Sequence, residues 1–124
     1  MINDDIMKNQ QSLVRHGLAL ILSKGTHDAA RTAFSLALTA VAVGDSAGIF
    51  FTQGGLNWLR AEGVDPELAE LRALCLCDGV LFIACADSLD SSLLTVADLI
   101  PQAELAGAAR FYLLAREVTV SLYL

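Results

Sequence analysis

Positive charge is scarce in this sequence: eight Lys and Arg face fourteen Asp and Glu, for a net charge of −6. The basic residues are scattered and form no patch, so a phosphate backbone meets net repulsion and nucleic acid is not an expected partner. Long apolar runs are missing too. Thr32 to Gly44 carries no charge over thirteen residues, and no stretch reaches the roughly 18–20 that cross a bilayer. A transmembrane segment is therefore not expected. No basic-then-apolar leader ending in small residues opens the chain, which argues for a cytoplasmic rather than a secreted protein. Histidine is limited to His16 and His27. Neither is spaced to the other or to a cysteine as a ligand set would be, so neither metal nor other cofactor is expected. Cysteine stops at three, Cys75, Cys77 and Cys85. An odd number without a leader argues against a disulfide framework and fits a reducing compartment. Repeats and low-complexity tracts are absent.

What the chain does have is apolar mass. Of its 124 residues 55% are hydrophobic, and the mean hydropathy is +0.55. That length makes one domain with a real core. The surplus apolar surface predicts a homo-oligomer, because monomers rarely expose large apolar patches. Residues 1–13 are polar, with Asp4, Asp5, Lys8 and the run Asn9-Gln10-Gln11, and read as an N-terminal tail. Residues 14–124 read as the domain.

Within the domain, apolar runs of strand length alternate with helical patterns. Strands are expected at Gly17–Ser23, Ser46–Thr52, Val80–Ala84 and Val118–Tyr123, with a short fifth one near Ala103–Ala106. The runs lack polar alternation, as strands covered on both faces do. A helix is expected over Asp28–Val43, capped by Asp28 and stopped at Gly44. It is apolar nearly all round, which predicts cover on more than one side and a subunit interface at its back. Leu56–Arg60 reads as one helical turn. A second helix runs from Pro66 to Cys77, with Asp65 as cap. Further helices are expected over Leu93–Leu99 and Ala103–Arg116. The alternation makes an α/β fold with a mainly parallel sheet of four to five strands.

In such a sheet the loops after the strands share one edge, and ligands bind there. That edge gathers Lys24 to Asp28, Gln53 to Asn57 and Cys85 to Asp90. Cys85 ends the central apolar strand at a helix start, where Ser88 and backbone N–H groups are possible donors and a thiolate is favoured. Asp87 and Asp90 oppose the thiolate, and Lys24 or His27 is the available offset. Around Cys85 the candidate pocket is lined by Lys24, Gly25, Thr26, Gln53, Gly54, Gly55, Asp87 and Ser88. Pattern alone leaves two readings of Cys85, a small buried hydrophobe or a reactive thiol at the mouth of the site. Cys75 and Cys77 lie two apart on a helix and read as packing residues. His27 reads as a solvated loop residue, and Trp58 as a core or interface anchor. Gly54-Gly55 reads as a turn, since the Walker spacing and lysine are missing.

Four segments carry a resemblance. They are Ser23–Asp28, Ile49–Arg60, Ile83–Asp90 and Glu104–Ala109, in order along nearly the whole domain. Together they resemble the DsrE/DsrF-like family, in particular the branch labelled peroxiredoxin-like or sulfur-reduction. The resemblance implies a three-layer α/β/α sandwich and a trimer or hexamer. It also implies sulfur transfer between donor and acceptor proteins rather than turnover of a small substrate. By position, Cys85 is the cysteine that takes sulfane sulfur as a persulfide. The methionines often found after that cysteine are replaced here by Ala86, Asp87, Ser88 and Leu89. The alternative reading is an oligomeric module binding a small anionic ligand or nucleotide on the same loops without covalent chemistry.

Overall fold

The computed structural model describes residues 15–124, and the expected tail over residues 1–13 lies outside the described residues. The apolar runs form five strands: β1 Arg15–Leu22, β2 Ser46–Phe51, β3 Leu81–Cys85, β4 Glu104–Ala106 and β5 Val118–Tyr123. They build one sheet in the order β4-β3-β2-β1-β5, with every neighbouring pair parallel. The strand carrying Cys85 is therefore not the middle one. It lies between β2 and the short edge strand β4.

Helices cover both faces. On one side, α1 (His27–Ala42) and α2 (Pro66–Cys77) pack over the alternate residues Leu20, Leu22, Ile49, Phe51 and Phe82, all essentially solvent-free. Phe34 of α1 anchors this layer, its ring 6.0 Å from that of Phe82 and 6.3 Å from that of Phe51. The opposite face is covered by α4 (Ala108–Ala115), whose Phe111 stacks on Phe50 at 5.2 Å. Leu114 lies over Gly48, where an added Cβ would stand 2.7 Å from its methyl. None of the eight residues of α4 is buried, so this second layer is thin. No helix among the described residues is long and apolar enough to cross a membrane.

Several elements differ from the sequence reading, each for a local reason. Thr26, not Asp28, caps α1: its hydroxyl accepts from the Ala29 N–H at 3.3 Å, and Asp28 falls in the first turn. The helix also keeps a solvent side, since Thr32, Ser35 and Thr39 share one exposed stripe at helical spacing. For α2 the bounds are those expected, with the Asp65 carboxylate accepting from the N–H groups of Glu67 and Leu68. A short helix, α3 (Ala86–Asp90), follows β3 with no loop between them. Leu93–Leu99 is not an α-helix and holds only a 3-10 turn at Val96–Asp98, closed by a Thr95–Asp98 capping box. Residues 104–106 form the short fifth strand expected there and pair with β3, so the last helix, expected from Ala103, begins at Ala108.

Candidate functional site

Two strands that end in step create the site. The parallel register pairs Phe51 of β2 with Ala84 of β3, so the next residues, Thr52 and Cys85, arrive side by side at the carboxyl edge. Cys85 ends β3 and is also the N-cap residue of α3. Ser88, three positions on, is brought back over the first turn of that helix. The Thr52 and Ser88 hydroxyls lie 2.7 Å apart, and the Ser88 oxygen also accepts the Gln53 N–H at 3.0 Å. Gln53 reaches that position with φ of 49°, a left-handed conformation uncommon for a residue with a side chain. Either hydroxyl can donate to the other: with Thr52 as donor the Ser88 proton is left for the sulfur, and with Ser88 as donor the Thr52 proton is.

Cys85 is recessed, with 7% of its surface exposed. It packs with Phe50 and Ile83 on the thinly covered face, beside Ala106 and Phe111. Burial pushes its thiol up, and this is the largest single influence. The Ser88 hydroxyl and N–H, the Thr52 hydroxyl and the Asp87 N–H together outweigh it, so the thiol sits below its ordinary value. No cap hydrogen bond closes onto the sulfur in this state. The donors surround it and favour negative charge when it forms. What opposes the thiolate here is burial, and the offset comes from hydroxyls and amides rather than from Lys24 or His27.

Gln53, Asp87 and Ser88 line one cavity of about 420 Å³, together with Ser91 and Ser92. Lys24 and Thr26 line a different one, of about 250 Å³, with Thr32 and Leu124. Gly25 connects the two loops: an added Cβ there would lie 3.2 Å from the Gly54 carbonyl oxygen. Gly54 and Gly55 sit in a 3-10 segment, Gln53–Leu59. Neither has a positive φ. They are glycines because the segment presses on the end of β1: a Cβ on Gly55 would collide with the Leu22 carbonyl, and one on Gly54 would lie 2.9 Å from the Gly25 nitrogen. Far from acting on Cys85, His27 meets Trp58 edge-on at 5.2 Å and lies 3.9 Å from Asp65. Trp58 is a core residue. Cys75 is fully buried as expected, while Cys77, on the other side of α2, is exposed rather than packed.

Two contributors escaped the sequence reading. Thr52 stood in a quoted segment without a role; its signal was its place as the residue after a strand, level with Cys85. Arg72 is buried, and its guanidinium donates to the Trp58 and Arg60 carbonyls at 2.8 Å each. It thereby ties the end of the 3-10 segment to α2. Nothing in a helical pattern distinguishes it from a solvated arginine.

The DsrE/DsrF-like family model matches residues 16–118. No curated protein matches the chain. Among solved structures, a protein of unknown function, MTH1491 from Methanobacterium thermoautotrophicum, is similar, with a TM-score of 0.72 at 16% identity. The match covers 86% of this chain and 98% of that one. The ychN protein from E. coli gives a TM-score of 0.67 at 13% identity, covering 89% and 99%. At these identities the two structures show the shared fold.

Proposed function

The chain belongs to the DsrE/DsrF-like family, and on that premise we propose that it is a sulfur-relay protein carrying sulfane sulfur on Cys85. The family supports a sulfur-relay role in general; the choice of cysteine rests on the donors grouped around this one. In the proposed step the Cys85 thiolate attacks the terminal sulfur of a donor persulfide. A bond forms between the two sulfurs, the donor's own S–S bond breaks, and the donor leaves as a thiolate that takes up the proton. No net oxidation occurs. The observation that carries the reading is the Thr52–Ser88 pair, 2.7 Å apart beside the thiol, which favours the thiolate and steadies a terminal persulfide anion. The protein is further proposed to work as a homo-oligomer in the cytoplasm, serving donor and acceptor proteins.

The test uses Cys77→Ser protein, because the exposed Cys77 would otherwise take sulfur as well. Incubation with inorganic polysulfide is expected to add the mass of one sulfur atom, removable by mild reductant. In Cys77→Ser, Cys85→Ser protein the adduct is expected to vanish. Retention of the sulfur in that double variant sinks the assignment.

A further inference from the structure

Asp87 stands in two relations to Cys85. Its N–H, together with the hydroxyl and N–H of Ser88, faces the thiol. Its side chain is exposed and lines the cavity of about 420 Å³ formed with Gln53, Ser88, Ser91 and Ser92. Cys85 is recessed and is not part of that lining; Ser88 and Asp87 stand between the cavity and the sulfur. The thiol's other neighbours, Phe50, Ile83, Ala106 and Phe111, are apolar and packed. A polar reagent therefore meets the α3 side of the sulfur first.

Of the residues lining this cavity only Asp87 carries a charge, and no basic group offsets it. Lys24 lines a separate cavity with Asp28, and Arg60 lines another with Glu62 and Asp98. Arg110 is held by Glu104 at 2.9 Å. Among the described residues no ion pair involves Asp87. The thiol itself is set by burial and by the donors around it. The field of the carboxylate falls instead on whatever occupies the cavity, and a cleft lined by one sign of charge concentrates that field.

We infer that the Asp87 carboxylate selects by charge the sulfur species that reach Cys85, admitting neutral and cationic ones and holding off small anions. The inference rests on the sulfur-relay reading and deepens it by naming the donor class. Inorganic polysulfide, thiosulfate and persulfides flanked by carboxylates load slowly; a persulfide or disulfide without negative charge beside its sulfurs loads fast. Asp87 is thus a specificity residue and takes no part in bond making. Symmetrical disulfides probe it without any sulfane sulfur. The Cys85 thiolate attacks one sulfur, a new S–S bond forms as the old one breaks, and the other half leaves as a thiolate that takes up a proton.

The experiment starts from Cys77→Ser protein and uses cationic cystamine, neutral bis(2-hydroxyethyl) disulfide and anionic dithiodiglycolate. Rates of mixed-disulfide formation are read by intact mass. Each is divided by the rate for N-acetylcysteine amide, which cancels differences between the leaving thiols. On that scale cystamine is expected to outpace dithiodiglycolate about tenfold at low salt, with the neutral reagent between them and the gap closing as salt screens it. Asp87→Asn keeps the N–H that faces the thiol and is expected to bring the ratio near one; Asp87→Lys is expected to invert it. Asp90 is exposed one helical turn on, outside the lining, and Asp90→Asn is expected to change the ratio less than about twofold. Loading from polysulfide is expected to run about threefold faster in Asp87→Asn protein. A ratio near one in the starting protein, or one that survives Asp87→Asn, overturns the selection. Loss of the ratio in Asp90→Asn protein overturns the assignment to Asp87. The expected ratios without any sulfur loading on Cys85 overturn the relay reading and leave the charge selection standing.

Discussion

Three cysteines on this chain meet three environments, and each sets a reactivity. Cys75 is fully buried and donates to the Phe34 carbonyl at 3.5 Å. Burial, aided by Asp78, pushes its thiol up to about 12, so it stays protonated and unlabelled at neutral pH. Cys77 is open to reagent. For Cys85, burial raises the thiol, but the Ser88, Thr52 and Asp87 donors bring it below the ordinary value. The sign follows directly: a lowered thiol value means more thiolate at any given pH below the transition. In Cys77→Ser protein, the iodoacetamide rate at Cys85 is therefore expected to reach half its maximum below the ordinary thiol range. Ser88→Ala removes the donor and leaves burial less opposed. Its profile is expected to move to higher pH, with alkylation at neutral pH slowed severalfold. A profile that does not move contradicts the role given to Ser88.

At the scale of elements, the site depends on one irregular piece, the 3-10 segment Gln53–Leu59. Its start meets Ser88 through Thr52 and Gln53, its end is held by Arg72, and Gly55 presses against the Leu22 carbonyl. Gly55→Ala forces backbone to move at that contact. A loss of about 1–3 kcal/mol is expected, as for other overpacked sites, measured by thermal unfolding followed through Trp58, the single tryptophan. Cys85 alkylation should slow with it, since Thr52 and Gln53 shift as well. Unchanged stability would show that the segment can relax away from β1.

Strands, α2 and the edge they share were legible in the sequence because burial on both faces leaves unbroken apolar runs and caps leave fixed residue types. Of α3 only the start after Cys85 was legible, and no helix was assigned over residues 86–90. Ala86-Asp87-Ser88 reads as turn chemistry, and only the strand ending against it makes it a helix. Leu93–Leu99 misled because its leucines share no single buried face: Leu93 is fully exposed, Leu94 is half-buried against the core and Leu99 is buried in it. Of the site, Cys85 and Ser88 were readable from their positions after a strand. The hydroxyl pair was not, because it depends on β2 and β3 ending in register.

At the scale of the whole molecule, the sandwich is lopsided. The α1–α2 side holds the large aromatic core, while the α4 side leaves Tyr112, Leu113 and Tyr123 substantially exposed. Cys85 belongs to that thinner side. We propose that a second copy covers the α4 face, where apolar surface of this kind is otherwise exposed to water. Light scattering on the full chain is expected to give a multiple of the 13.2 kDa protomer. Tyr112→Glu combined with Leu113→Glu is expected to shift the mass toward the monomer. A monomer before any substitution would remove the assembly from the account.

Whether Cys85 carries sulfur in the cell is tested most directly on protein purified natively without reductant. Its intact mass is compared before and after mild reduction, and the labile atom is located by peptide mapping with thiols blocked. The account predicts one reducible sulfur on the peptide holding Cys85. A native mass with no labile sulfur, or one whose extra atom maps to Cys77, would contradict it.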